Sequence, residues 1–151
     1  MGQTTTVLDA QAIVAALTGE PAAHDVEGLL RDASSPAKIS SVNLAEVVDV
    51  LVRLQRRTVD EVIEKLRWLV VGGLMVIDVD DVAGLLAVGL RARLYHRATM
   101  PLSLADCVAL STALRAGERL ATADPALLRA AAAEGCAVIR LMDSSGRRPT
   151  P

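Results

Sequence analysis

The sequence predicts an α/β fold of three layers, a mostly parallel sheet of about five strands flanked by helices on both faces. Three observations predict it. Short β-branched or apolar runs alternate with longer segments of helical apolar spacing along the whole chain. Cap and turn residues mark almost every change of period. No internal repeat, low-complexity tract or interdomain linker interrupts the alternation, so the 151 residues read as one domain.

The elements follow in order. Thr4 to Leu8 is β-branched and apolar and stops at Asp9, which marks a buried strand. Ala12 to Leu17 has helical apolar spacing, broken by Gly19, Glu20 and Pro21. Asp25 to Arg31 is a second short helix with Val26, Leu29 and Leu30 on one side, and Ala37 to Ser40 is a brief strand. Asn43 to Arg57 carries a wide apolar stripe of Leu44, Val47, Val48, Leu51 and Leu54. Thr58 caps the next helix, Asp60 and Glu61 sit in its first turn, and Gly72-Gly73 ends it. Leu74 to Val79 is a third strand, and Asp80 or Asp81 opens a helix reaching about His96. After Pro101, Ser103 to Ala116 is helical and Gly117 stops it. Leu120 to Ala123 is a strand ending at Asp124, with Pro125 at the first position of a helix that Gly135 ends. Ala137 to Leu141 is the last strand. The domain thus covers residues 1–142, and the polar stretch 143–151, with Gly and Pro, reads as a disordered tail.

Composition narrows the function. At 52% hydrophobic the chain has material for a core and a surplus for a partner, and a chain of this length buries roughly 68–70% of its unfolded surface. A net charge of −2 excludes a polybasic nucleic-acid binder while allowing a local basic rim. There is no phenylalanine, and Trp68 and Tyr95 are the only aromatics, so a bound nucleic acid would be held through phosphates and arginines more than by stacking. Cys107 and Cys136 lack metal-site spacing and read as reduced core thiols of a cytoplasmic protein. No secretory signal opens the chain, and stretches such as Trp68 to Ile77 are too short to span a membrane, so no membrane association is expected. Gly2 with Thr6 matches an acylation pattern, but Thr6 runs directly into an apolar strand.

Four acids stand where the chemistry of such folds is found. Asp9 follows the first strand and Asp124 the fourth; Glu46 lies in the first turn of the helix after the second strand, and Asp106 in the first turn of the helix leading into the fourth. Parallel strands with right-handed crossovers bring their carboxyl ends to one sheet edge, where ligands bind. Taken singly, each acid is explained by capping: Asp9 and Asp124 as N-caps, Asn43 with Glu46 and Ser103 with Asp106 as capping boxes. Taken together they repel, by about 4 kcal/mol for two carboxylates ~4 Å apart at an effective dielectric near 20. A cation would relieve that, and oxygen donors without His or Cys select magnesium, or manganese, over zinc. Asp80 and Asp81 also follow a strand, which is expected at the sheet edge and away from the crevice. A carboxylate-bound divalent ion suits phosphodiester hydrolysis.

Val7-Leu8-Asp9, Asn43-Leu44-Ala45-Glu46, Leu102-Ser103-Leu104-Ala105-Asp106 and Ala121-Thr122-Ala123-Asp124 resemble, in order, the four acidic motifs of PIN-domain ribonucleases. The length and helix-rich build are most similar to VapC toxins of bacterial VapBC toxin–antitoxin pairs, over roughly Thr5 to Leu141. The resemblance implies a PIN-like magnesium-dependent endoribonuclease, a VapB-type antitoxin partner and a homodimer. It implies Asp9 and Asp106 as main metal ligands, Asp124 as a further ligand, Glu46 as the residue orienting or activating water, and Thr122 as a supporting hydroxyl. Many relatives carry Ser or Thr two residues after the first acid, where this chain has Gln11. Arg91, Arg93 and Arg97, or Arg53, Arg56 and Arg57, are the basic candidates for RNA contact, or else solvated helix ends. His24 and His96 read as surface residues.

Two other readings fit alternating strands with crevice acids. A receiver domain needs a lysine at the end of a late strand, and the only lysines are Lys38 and Lys65. A phosphatase of the related type needs a second acid two residues after Asp9, where Gln11 stands. A non-catalytic PIN-like binding module is the remaining alternative, and possession of all four acids argues against it.

Overall fold

In a computed structural model, described here for residues 4–151, five strands form one fully parallel sheet in the order β3-β2-β1-β4-β5. The strands are β1 (Thr6–Leu8), β2 (Ala37–Ser40), β3 (Met75–Ile77), β4 (Arg119–Thr122) and β5 (Val138–Arg140). The helices are α1 (Ala10–Thr18), α2 (Ala23–Arg31), α3 (Ser41–Gln55), α4 (Val59–Val71), α5 (Asp81–Leu94), α6 (Leu104–Ala116) and α7 (Pro125–Ala133). Gly2 of the acylation pattern lies outside the described residues.

The pleat divides the core in two. Val7 and Leu120 point to one face, where they pack with Leu90, Leu102, Leu110 and Leu127 from α5, α6, α7 and the link before α6. Their neighbours Leu8 and Ala121 point to the other, against Ile13, Val26, Val47, Leu51 and Leu66 from α1 to α4. Period-2 alternation along two three- and four-residue strands is thus enough to seat helices on both faces. The chain grows outward from β1 through β2 to β3, then returns to lay β4 on the other side of β1. The switch point therefore falls between β1 and β4, and the residues that follow these two strands are Asp9 and, one position further, Asp124.

Several boundaries differ from the sequence expectation. The third strand is three residues rather than six, because Leu74 turns into the core and β3 is an edge strand with Met75 and Val76 exposed. Its edge position is as expected, and Asp80 there caps α5 and pairs with Arg115 at 2.8 Å. The helix after β2 begins at Ser41, capped by Ser40, so Asn43 is not its cap and Glu46 lies in the second turn. From Asp143 the chain makes a turn. Its carboxylate accepts from the backbone N–H groups of Ser145 and Arg147, both at 2.9 Å, and Arg148 bridges to Asp25 at 2.8 Å. No helix is long and apolar enough to cross a membrane among the described residues.

Candidate metal centre

Three of the four acids take part in capping helix N-termini. Asp9 is the N-cap of α1: Oδ1 accepts from the Ala12 N–H at 2.8 Å, while Oδ2 accepts a short hydrogen bond from the Thr122 hydroxyl. Asp124 caps α7, Oδ1 accepting from Ala126 N–H at 2.7 Å and Leu127 N–H at 3.3 Å. Asp106 forms the expected capping box, its Oδ2 accepting from Ser103 N–H at 2.7 Å while Asp106 N–H donates to Ser103 Oγ at 3.0 Å. The capping explanation is correct for these three, and it does not compete with convergence. It is the means by which three helix N-termini deliver carboxylates to one edge with fixed side chains.

Glu46 arrives differently. Ser40 Oγ donates to Asn43 Oδ1 at 2.5 Å, and Asn43 Nδ2 donates to the Ala105 carbonyl at 3.0 Å. This buried bridge ties α3 to the first turn of α6, one residue from Asp106, and so sets Glu46 against Asp106. Sequence reasoning assigned Asn43 to a cap and gave Ser40 no role. The signal was present, since Ser40 stands three residues before Asn43, but Ser40, Ser41 and Asn43 are all good cap residues and only the packing chooses among them.

The electrostatics link the acids. Asp9 is only 4% exposed. Burial pushes its carboxyl up to about 7, and the charges of Asp106 and Asp124 add to this against the Thr122 and Ala12 hydrogen bonds. Burial likewise raises Asp106, helped by the Asp124 charge and opposed by the Ser103 bonds. Glu46 is raised by burial and then by Asp106, with Asn43 opposing. Not one of the charges acting on these three groups is basic. Thr122, wholly buried, joins the acids by donating to Asp9 while its Oγ1 accepts from the Asp124 N–H at 3.0 Å.

Donor chemistry at this edge fits a hard divalent cation: oxygens only, from two half-buried carboxylates and one fully buried one, with no positive side chain to neutralise them. The cage itself is not closed. Among the described residues no group of three or more His, Cys, Asp or Glu stands in place to hold a metal ion. Both oxygens of Asp9 and one each of Asp106 and Asp124 accept hydrogen bonds from the chain. Asp106 Oδ1 and Asp124 Oδ2 accept no hydrogen bond among the described residues.

Three of the six arginine candidates are committed elsewhere, while Arg56, Arg57 and Arg97 make no side-chain hydrogen bond or ion pair among the described residues. Arg91 donates to the Leu102 carbonyl and lies over the Tyr95 ring at 4.5 Å; Arg93 pairs with Glu134 at 2.8 Å and Arg53 with Asp49 at 2.9 Å. His96 accepts at Nδ1 from its own turn. Cys107 and Cys136 are free thiols; burial raises the first to about 11. Lys38 is paired with Glu118.

A PIN domain family model matches residues 6–133. No curated protein matches the chain in sequence. Solved structures are similar in fold at low identity. VapC20 of Mycobacterium tuberculosis, described as a sarcin–ricin loop cleaving toxin, superposes with a TM-score of 0.67 at 14% identity, covering 96% of this chain and 100% of that one. VapBC2 of Rickettsia felis, solved on a promoter DNA fragment, gives 0.64 at 18%, covering 89% and 97%. DNA-bound VapBC of Salmonella typhimurium gives 0.64 at 20%, covering 90% and 97%.

Proposed function

Since the chain belongs to the PIN domain family, we propose that it is a magnesium-dependent endoribonuclease, with manganese as a possible substitute, and the toxin of a type II toxin–antitoxin pair. One observation supports this above others. Besides burial, the charges of Asp106 and Asp124 raise the Asp9 carboxyl, Asp124 raises Asp106 and Asp106 raises Glu46, all at a single sheet edge and with no basic group among the causes. Asp9, Asp106 and Asp124 would hold the ion, with Glu46 close to it. Once bound, the divalent cation offsets negative charge on the phosphate oxygens and acidifies a nearby water.

The chain's own residues do the rest. Thr122 keeps Asp9 and Asp124 in register through one hydroxyl. The Ser103 capping box stops Asp106 from swinging into solvent. Glu46, half-buried beside Asp106 and with its carboxyl raised by that burial, would take a proton from the attacking water. The Asn43 bridge holds Glu46 at its distance from Asp106.

Two apolar surfaces support protein partners. A groove of about 510 Å³ between α3 and α4 is lined by Leu44, Val48, Ile63, Val70 and Val71 and suits a VapB-type antitoxin helix. A second, where Val42, Leu85, Val88 and Leu104 meet, suits a second copy of the chain. The cytoplasm, where such a pair would meet RNA, is the compartment this reading requires.

The test is RNA cleavage by purified protein. The wild type is expected to cut in magnesium and stop in chelator. Asp106→Asn is expected to lose about a hundredfold or more, with an unchanged circular dichroism spectrum. Full cleavage by Asp106→Asn, or undiminished cleavage in chelator, would sink the proposal.

A further inference from the structure

The crevice does not end at the acids. Beyond Asp124, on the side away from Glu46, it opens into a cavity of about 340 Å³ between α1, the start of α7 and the turn after β5. Its walls include Ala123 and Met142, and its polar edge carries Gln11, Glu20, Asp124 and Ser144. We propose that this cavity is a base-reading subsite. It would take the nucleotide flanking the scissile phosphate, with a base that bears an exocyclic amino group against Gln11 and Glu20. The neighbouring phosphates would lie on Arg140 and Arg147. The inference rests on the nuclease reading above and names part of its specificity.

Four features carry it. First, the lining is half apolar and its charged groups are acidic, which repels a phosphate and favours an amino-bearing base edge. A carboxylate accepts from a base amino group, and a glutamine amide can both donate and accept, as in its pairing with adenine. Second, these groups have unused capacity. Gln11 is exposed and makes no side-chain hydrogen bond among the described residues, and Glu20 uses only Oε1, to Thr18 at 3.2 Å. Gln11 also stands two residues after Asp9, so α1 carries its amide to the lip of the site. Third, the far wall is built rather than loose. Asp143 N–H donates to the Arg147 carbonyl at 2.7 Å, and Arg148 donates to the Arg140 carbonyl at 2.6 Å besides pairing with Asp25.

The fourth feature is charge. Arg53, Arg91 and Arg93 are engaged with their own protein partners, and Arg56, Arg57 and Arg97 follow α3 and α5 rather than β5. Arg140 and Arg147 are exposed at the carboxyl end of the edge strand β5 and in the turn that follows it. Arg147 bonds only Ser145 Oγ, through Nε, and the Arg140 guanidinium bonds nothing among the described residues. Positive charge thus flanks an acidic pocket, so phosphates are attracted beside it while the base enters it. With Trp68 and Tyr95 both elsewhere, Met142 is the polarisable surface a base would lie on.

The test uses nuclease-resistant 2′-O-methyl RNA hexamers that differ at one base, with binding read by fluorescence anisotropy in magnesium. Wild-type protein is expected to prefer A, C or G over U at one position by about fivefold or more. Gln11→Ala and Glu20→Ala are each expected to shrink that preference to under about twofold while leaving the U-containing hexamer bound as before. Arg140→Ala combined with Arg147→Ala is expected to weaken all hexamers alike and flatten the salt dependence. Equal binding of all four bases by the wild type, or an undiminished preference in both pocket variants, overturns the subsite. Failure of the nuclease reading shows separately, as unmodified RNA left intact while the binding preference stands.

Discussion

Asp9→Asn is expected to make the metal-free protein more stable at pH 8 while removing its nuclease activity. The carboxyl of Asp9 is raised from 3.8 to about 7 in the folded chain, with burial as the largest cause. Below about pH 4 it is protonated in both folded and unfolded chains and costs nothing. As pH rises toward 7 the unfolded chain releases the proton and the folded chain retains it, so stability falls; above 7 the loss levels off. Asparagine never ionises and keeps the acceptor for the Ala12 N–H, so it escapes that loss. A shift of this size corresponds to roughly 4 kcal/mol, reduced by the altered bond to Thr122. Melting in chelator should therefore rise by roughly 5–10 °C at pH 8 and by little at pH 4. Magnesium should stabilise the wild type and leave Asp9→Asn unmoved, since only a form that binds the ion gains from it. A variant that melts below the wild type at pH 8 in chelator would refute the burial penalty.

The second large effect lies far from the acids, in the ion pair between Lys38 of β2 and Glu118 at the foot of β4. The side chains are 18% and 10% exposed, and Glu118 Oε2 is buried without a partner. The pair reaches across β1, which separates the two strands in the sheet. Lys38→Met strands a buried carboxylate and is expected to cost about 3–5 kcal/mol in urea unfolding. Replacing both residues, Lys38→Met with Glu118→Leu, is expected to recover most of that, because the desolvation cost of the pair disappears along with its attraction. A coupling energy near zero in the double-mutant cycle would mean that the pair is solvated and contributes little.

Much of this was legible in the sequence. The run Thr6-Val7-Leu8 before Asp9 and the run Leu120-Ala121-Thr122 before Asp124 give both the strands and the acids that follow them, because alternation and capping are local properties. The edge position of β3 was assumed rather than read, since chain order alone does not fix strand order, and the sheet agrees with it. What escaped is what local sequence does not encode. Ser40, Ser41 and Asn43 are interchangeable as caps until Asn43 finds the Ala105 carbonyl 62 residues away. Arg93 is a solvated helix-end cation until Glu134 is placed beside it, 41 residues on. The turn after Asp143 looks like a loose end because its anchor, Asp25, lies in α2 near the start of the chain.

The hydrogen bond from Thr122 to Asp9 spans 113 residues, and β1 pairs with β4 across a similar separation. Contacts this distant in sequence close late, after the intervening chain has paid its loop entropy. During synthesis on a ribosome, Asp9 emerges first and waits for the 113 residues that separate it from Thr122 before its partner strand is complete. A nascent chain therefore carries no assembled acidic centre until that strand has been made. The order in which the strands are strung thus delays assembly of the acidic edge until β4 has been made.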